Sequence, residues 1–312
     1  MVNSSDGVLI RDTSSIWRAK DGTIPVLDDP TLVLTAHYWE RPPILDLNVT
    51  LRRMQRGEIG SPDLHLSELL MDWYCLTEKQ IRKLSLSVFD KEHKTATRLR
   101  MLQKIGWFDG FWIEREGYKE NVWIQGIASQ QYFSFVAGVN VESNPMDMLN
   151  HRQYSLSICA INDFRIIIED RGNVPKLVKY APLWKKNSVF NPFCQMVVST
   201  KKGALTLYIE RIIQSWHPLS IMRNKLAMYE KMTADNQGQL PPLEKGAALI
   251  VWSVGSIEAI KALVSSIDYL PDLPMVFLVD ELLQDFPHSF FIAKKGRTLG
   301  EVDLQAFSMD LL

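Results

Sequence analysis

Between Lys91 and Lys104 the chain reads KEHKTATRLRMLQK, where Lys91, Lys94, Arg98, Arg100 and Lys104 stand against one acid, Glu92. Such a run suits a phosphate backbone, because each cation docked on a duplex releases condensed counterions. Ala96, Leu99, Leu102 and Ile105 recur at helical spacing and are expected to pack inward. That phase would turn Lys94, Thr95, Thr97, Arg98 and Met101 outward. Thr and Arg are side-chain types that reach base edges, whereas Lys neutralises phosphates. Arg115 and Lys119 are placed to touch an adjacent phosphate or the minor groove. The candidate DNA-binding set is Lys91, Lys94, Thr95, Thr97, Arg98, Arg100, Lys104, Arg115 and Lys119. A merely solvated helix, or a module that binds only protein, would carry the same composition, so both stay open as alternatives.

Other reactive residue types fall into no catalytic pattern. His151, His217 and Glu210 have a spacing that fits no usual metal-ligand motif, and His217 before Pro218 reads as a turn residue. GSIEAIK lacks the several glycines and the Lys-Ser/Thr pair of a phosphate-binding loop, so it reads as a helix start capped by Ser256. There is no GxSxG, and Cys194 has no evident His partner. Cys75, Cys159 and Cys194 are odd in number and form no CxxC pair, which argues against a disulfide framework or zinc knuckle and for a reducing cytoplasm. No cofactor and no metal are expected. LVKYAPLWKK interleaves Lys176, Lys179, Lys185 and Lys186 with Tyr180 and Trp184, a composition shared by strand-binding grooves and by ordinary surface loops.

These residues need elements to position them. LHLSELLMDWYC has apolar residues at helical spacing, TEKQ has the arrangement of a capping box before QIRKLSLSV, and Asp90 is placed to cap the basic helix. Gly106 then closes that helix, and WFDGFWIEREGYKENVWIQG reads as two alternating strands turning around 116–118. Helix, helix, basic helix and hairpin is the order of a winged helix-turn-helix, expected over 61–135.

Upstream, GVLIRD, TIPVLDD and TLVLTAHYWE suggest short strands and LNVTLRRMQRG a short basic helix, together an accessory arm over 1–60. From 146 a helix with Leu149, Tyr154, Ile158 and Ile161 inward opens a second domain. A KKG hairpin, the helix LSIMRNKLAMYEKM, the strand AALIVWSV, the helix SIEAIKALVSSI and the strand MVFLVDELL follow. Strands alternating with helices after a hairpin predict an α/β domain with a mixed central sheet over 146–312.

Net charge is only −1 over 312 residues, which argues against a generic nucleic-acid coat. Its distribution is uneven. Ten Lys/Arg face seven Asp/Glu in 76–125, while four face nine in 250–312. One basic and one acidic region let one face meet phosphate while another stays solvated. The longest apolar runs are strand-length, so no membrane contact is expected.

From about Tyr74 the chain resembles the plasmid replication-relaxation family, whose members join a winged helix to a nuclease-like α/β fold. The resemblance is carried by TRLRMLQKIGWF, by His151 opening HRQYSLSICAINDFRI, by NPFCQMVV with LTLYIERI, by KLAMYEKM and by ALIVWSVGSIEAIKAL. It implies a winged helix-turn-helix followed by a restriction-endonuclease-like α/β domain. It also implies an Asp after Pro192, and an acid or Lys two residues beyond Glu210. Phe193 and Ile212 stand there instead. A metal-dependent nuclease needs paired carboxylates and a nearby Lys, and only Glu210 and Lys225 remain. The resemblance thus implies a vestigial site without nuclease chemistry.

The expected function is a sequence-specific DNA-binding regulator or accessory factor of a plasmid, phage or other mobile element. Its partners would be double-stranded DNA, a second copy in a homodimer, and replication, mobilisation or transcription proteins. FLVDELLQDF is a candidate contact surface. A metal-dependent endonuclease acting on plasmid DNA is the alternative from another class.

Overall fold

A computed structural model describes residues 17–37, 44–85, 92–141, 144–181, 191–214, 217–286, 288–296 and 301–308. The chain divides into two compact units, 31–175 and 176–312, the latter joined by residues up to Pro30. Both are mixed α/β and each holds one sheet.

In the 31–175 unit, local caps set the element order. The elements are β1 (Val33–Ala36), α1 (Leu47–Gln55), α2 (Ser61–Trp73), β2 (Cys75–Thr77), α3 (Glu78–Leu84) and α4 (Glu92–Lys104). The hairpin β3 (Phe108–Arg115) and β4 (Tyr118–Gln125) follows, then α5 (Ile127–Phe135), α6 (Pro145–Asn150) and α7 (Arg152–Asp170). The Asp46 carboxylate accepts from Asn48 N at 2.7 Å and starts α1. Thr77 and Gln80 form the expected capping box, with Thr77 N donating to Gln80 Oε1 at 2.9 Å and Gln80 N to Thr77 Oγ1 at 3.2 Å. Gly106 ends the helical stretch at φ 74° and Gly117 turns the hairpin at φ 68°.

The sheet order is β1-β3-β4-β2, antiparallel throughout. Leu66, Leu70, Leu99, Leu102, Trp107 and Trp123 form the heart of its core. β1 covers the outer edge of β3, a pairing the sequence reading did not include.

The other unit contains β5 (Leu177–Tyr180), β6 (Cys194–Thr200), β7 (Gly203–Arg211), α8 (Pro218–Asp235), β8 (Gly246–Val254), α9 (Ile257–Ser266), β9 (Met275–Val279), β10 (Phe290–Lys295) and β11 (Val302–Ala306). Its sheet runs β11-β10-β9-β8-β7-β6-β5. β7, β8 and β9 are parallel and the remaining pairs antiparallel. The expected mixed central sheet is therefore present. Ser256 caps α9 through Ala259 N, as its sequence position suggests.

Boundaries differ from the expected 1–60, 61–135 and 146–312. α7 belongs to the first unit, because its polar side chains close backbone groups there. Asn162 Nδ2 donates to Trp73 O at 3.1 Å and Cys75 O at 2.8 Å, and Arg165 stacks 3.7 Å from the Trp73 ring. The upstream arm is not one layer. Trp17 packs in the core of the 176–312 unit, whereas β1 and α1 belong to the other. TIPVLDD is not a strand but leads into a 3-10 turn at Val26–Asp28, and GVLIRD lies outside the described residues.

The apolar residues expected to make FLVDELLQDF a contact surface are mostly turned into the core. Phe277, Leu278, Val279, Leu283 and Phe286 are buried, since β9 is an interior strand of the sheet. No helix among the described residues is long and apolar enough to cross a membrane.

Candidate functional site

α4 keeps the phase its sequence predicts at Leu99 and Leu102, which face inward, and at Thr97 and Met101, which face outward, but departs from it at Thr95. Thr95, Leu99 and Leu102 are buried, while Thr97, Arg100, Met101 and Lys104 are exposed. Thr95 is therefore corrected from an outward to a core position, because it shares a stripe with Leu99 and Leu102 at helical spacing. Lys91, Asp90 and the Lys94 side chain lie outside the described residues.

Arg98 is the second correction. Its guanidinium donates through Nε to Asp63 Oδ1 at 2.7 Å, through Nη2 to Asp63 Oδ2, and through Nη2 to Glu58 O at 2.7 Å. The Asp63 side chain is 2% exposed and Arg98 23%. Asp63 also accepts from Gly60 N at 2.8 Å, which caps α2. The Asp63 carboxylate holds Arg98 above the usual guanidinium range. Arg98 thus fastens α4 to α2, and its loss would leave a buried carboxylate unpaired.

A further arginine ties α4 to α1. Arg53 Nη1 donates to Ile105 O at 3.2 Å, just beyond the end of α4. On the opposite side of the element, Arg100 acts electrostatically on His37, whose ring is held 4.8 Å from both Trp112 and Trp123. Burial chiefly, and Arg100 in part, push the His37 imidazole down to about 4, so it is neutral at physiological pH. Gly110 makes this packing possible: a Cβ there would lie 2.1 Å from Val122 O and 3.0 Å from His37 Cε1.

The hairpin cations are engaged within the hairpin. Lys119 lies 5.2 Å from the Trp112 ring and 3.4 Å from Glu114 Oε1, and Arg115 stands 5.5 Å from the Tyr118 ring. Tyr118 donates its hydroxyl to Glu120, which also pairs with Lys79 at 3.5 Å. Burial and then Glu120 raise the Tyr118 phenol above its ordinary range. The tip therefore engages its cations with nearby rings and carboxylates, Arg115 with Tyr118 and Lys119 with Trp112 and Glu114.

In the 176–312 unit, Glu210 and Lys225 meet. Lys225 Nζ is 3.1 Å from Glu210 Oε2, and their side chains are 8% and 3% exposed respectively. Glu210 also accepts from Tyr229 Oη at 2.7 Å and Phe193 N at 3.3 Å, while Lys225 donates to Asn191 O. Burial pushes the Glu210 carboxyl upward, and Lys225, Tyr229 and Phe193 N–H oppose that shift. The Phe193 and Ile212 side chains are packed apolar groups, 4% and 1% exposed. Among the described residues no group of three or more His, Cys, Asp or Glu side chains is gathered to hold a metal ion. Lys176 is paired with Glu244 at 3.2 Å, and residues 182–190, with Trp184, Lys185 and Lys186, lie outside the described residues.

A second polar cluster escaped the sequence reading. Arg211 ends β7 and donates to Ser253 Oγ at 2.7 Å and to Asp280 at 2.8 and 2.6 Å. Asp28 accepts from Gln214 N at 2.8 Å through Oδ1, and its Oδ2 faces Gly255, where a Cβ would come within 2.6 Å. Burial raises the Asp28 carboxyl to about 6, against the Gln214 hydrogen bond and Arg211. These groups stand at the carboxyl ends of the parallel strands, where open α/β sheets commonly present ligands, and the chain's own residues Pro25 and Asp28 fill that position. The available signal was a charged residue at the carboxyl end of two buried strands, Arg211 as the last residue of β7 and Asp280 just after β9.

The chain matches no family model, no curated protein and no solved structure.

Proposed function

We propose that the 31–175 unit is a winged-helix DNA-binding module and that the 176–312 unit is a nuclease-like scaffold serving assembly rather than cleavage. The protein would then act as a sequence-specific regulator or accessory factor of a plasmid, phage or other mobile element. The mobile-element context rests on the replication-relaxation resemblance of the segments quoted above. A homodimer fits the small surface that one inserted helix buries, since two linked half-sites raise affinity through effective concentration.

The observation that carries DNA binding is the exposed α4 face. Thr97, Arg100, Met101 and Lys104 lie outward on the last helix before the hairpin, and no acid occurs from Lys94 to Lys104. Helix, strand, helix, helix and hairpin is also the element order of winged helices. Binding of a fluorescent DNA duplex, followed by anisotropy across a salt series, tests the reading. Arg100→Ala with Lys104→Ala should weaken binding and lower the magnitude of the salt slope by about 2. Absence of wild-type binding at ~50 mM salt, where phosphate contacts are strongest, would favour a protein-interaction module.

Endonuclease action is the second reading. Its support is the β5–β6–β7–α8–β8 order with Glu210 and Lys225 brought together. Against it, the Glu210 carboxylate is already engaged by three donors. Mg²⁺-dependent nicking of supercoiled plasmid, lost in Glu210→Ala, would decide for cleavage.

A further inference from the structure

α1 lies outside the helix–hairpin order, yet it carries the same chemistry as α4. Its outward stripe is Asn48, Arg52, Gln55 and Arg56, at helical spacing, with no acid on the stripe. Arg56 is 72% exposed, and its ion pair with Glu58 is a long surface contact at 3.9 Å. Such pairs hold a cation weakly and yield readily to a phosphate.

One contact from α1, a helix that packs against α5, and one from the turn that follows it tie this segment to α4. Arg53 reaches Ile105 O at 3.2 Å, and Arg98 returns the tie to Glu58 O at 2.7 Å. Positions 98 and 105 are two helical turns apart and share one stripe, so the turn after α1 runs along that side of α4. The stripe borders the exposed face of Thr97, Arg100, Met101 and Lys104 rather than covering it.

A helix about 10–12 Å across nearly fills a major groove about 12 Å wide. An element fastened to the flank of an inserted helix must therefore stand over the phosphates that line the groove. We infer that Arg52 of α1 and Arg56 at its C-cap form a phosphate clamp on duplex DNA, fixing the position of α4 without reading bases. This rests on the DNA-binding reading above and adds a second contact element to it. Asn48 and Gln55 supply neutral donors along the same stripe.

The test is duplex binding by Arg52→Gln with Arg56→Gln, measured in the full chain by anisotropy over a salt series on two duplexes of unrelated sequence. Glutamine keeps helix propensity and removes only charge. A thermal melt checks that folding is intact. The salt slope should fall in magnitude by about 2, roughly 0.9 per lost phosphate contact, and by the same amount on both duplexes. Arg223→Gln with Lys261→Gln, two cations of the other unit, should leave the slope unchanged.

If Arg52→Gln with Arg56→Gln binds like the wild type while Arg100→Ala with Lys104→Ala is impaired, the clamp is wrong and the α4 reading stands. An equal loss in the Arg223/Lys261 control would overturn the clamp in favour of a net-charge effect. Should the wild type bind neither duplex at ~50 mM salt, both readings fail together.

Discussion

Two sets of charged residues in this chain meet opposite fates. On α4 and α1, Arg100, Lys104, Arg52 and Arg56 are exposed. In the other unit, Glu210, Lys225 and Arg211 are buried and Asp280 is partly so, and they are paired with one another, Glu210 with Lys225 and Arg211 with Asp280. Residue type alone does not separate these sets. What separates them is whether the charge is still available to a ligand. Arg98 makes the point within one helix: two residues from Arg100, it is committed to buried Asp63.

The strongest way to break this contrast is to free an enclosed charge. Lys225→Met would leave Glu210 buried beside Tyr229 and Phe193 without its cation. Removing one partner of such a pair typically costs about 3–5 kcal/mol, so urea denaturation should show a large loss of stability. Adding Glu210→Leu should recover much of it, because apolar replacement of a buried pair is often close to neutral. A Lys225→Met variant as stable as the wild type would show that this charge pair is not a structural lock.

A smaller and pH-dependent effect is expected at Asp28. Its folded-state carboxyl lies at about 6, above the ordinary aspartate value of 3.8, because burial disfavours the charged form. The folded state therefore binds the proton more tightly than the unfolded chain. The stabilisation is fully present below pH ~4 and is lost as pH rises through about 6. The difference corresponds to roughly 2–3 kcal/mol. Asp28→Asn should flatten the fall in stability of the wild type between pH ~4 and ~7, read from urea midpoints. An unchanged profile would mean that Asp28 does not titrate across that window.

How much of this was legible follows from the range of the interactions. Caps and turns are local, so Thr77, Gln80, Gly106, Gly117 and Ser256 announce their roles in a few consecutive residues. On α4 the phase is legible at Leu99, Leu102, Thr97 and Met101, and Thr95 and Arg98 depart from it because their surroundings are decided at a distance. Thr95 looks outward by the phase of Ala96, Leu99, Leu102 and Ile105, yet it is buried, and Arg98 looks free until Asp63, 35 positions earlier, is brought alongside. The α7 helix was legible as a helix but not as a member of the first unit, since that depends on Asn162 meeting Trp73 O and Cys75 O. Likewise, Asp28 and Gln214 are 186 positions apart, and no periodicity links them.

The finest test of the contrast lies within the 31–175 unit, between α4 and the hairpin. Arg115 and Lys119 were natural phosphate candidates by type, but each is occupied at the tip, Arg115 over Tyr118 and Lys119 between Trp112 and Glu114. Binding DNA through them would require giving up contacts worth about 0.5–1 kcal/mol at exposed sites, which offsets part of any gain from a phosphate. Arg115→Gln with Lys119→Gln should therefore reduce the salt slope by less than about 1, well short of the change expected for Arg100 and Lys104. Stability should shift by no more than about 1 kcal/mol. If the hairpin pair instead matches or exceeds the helix pair in its effect on the slope, availability in the free protein is not what selects the contacts, and the tip must rearrange on the duplex.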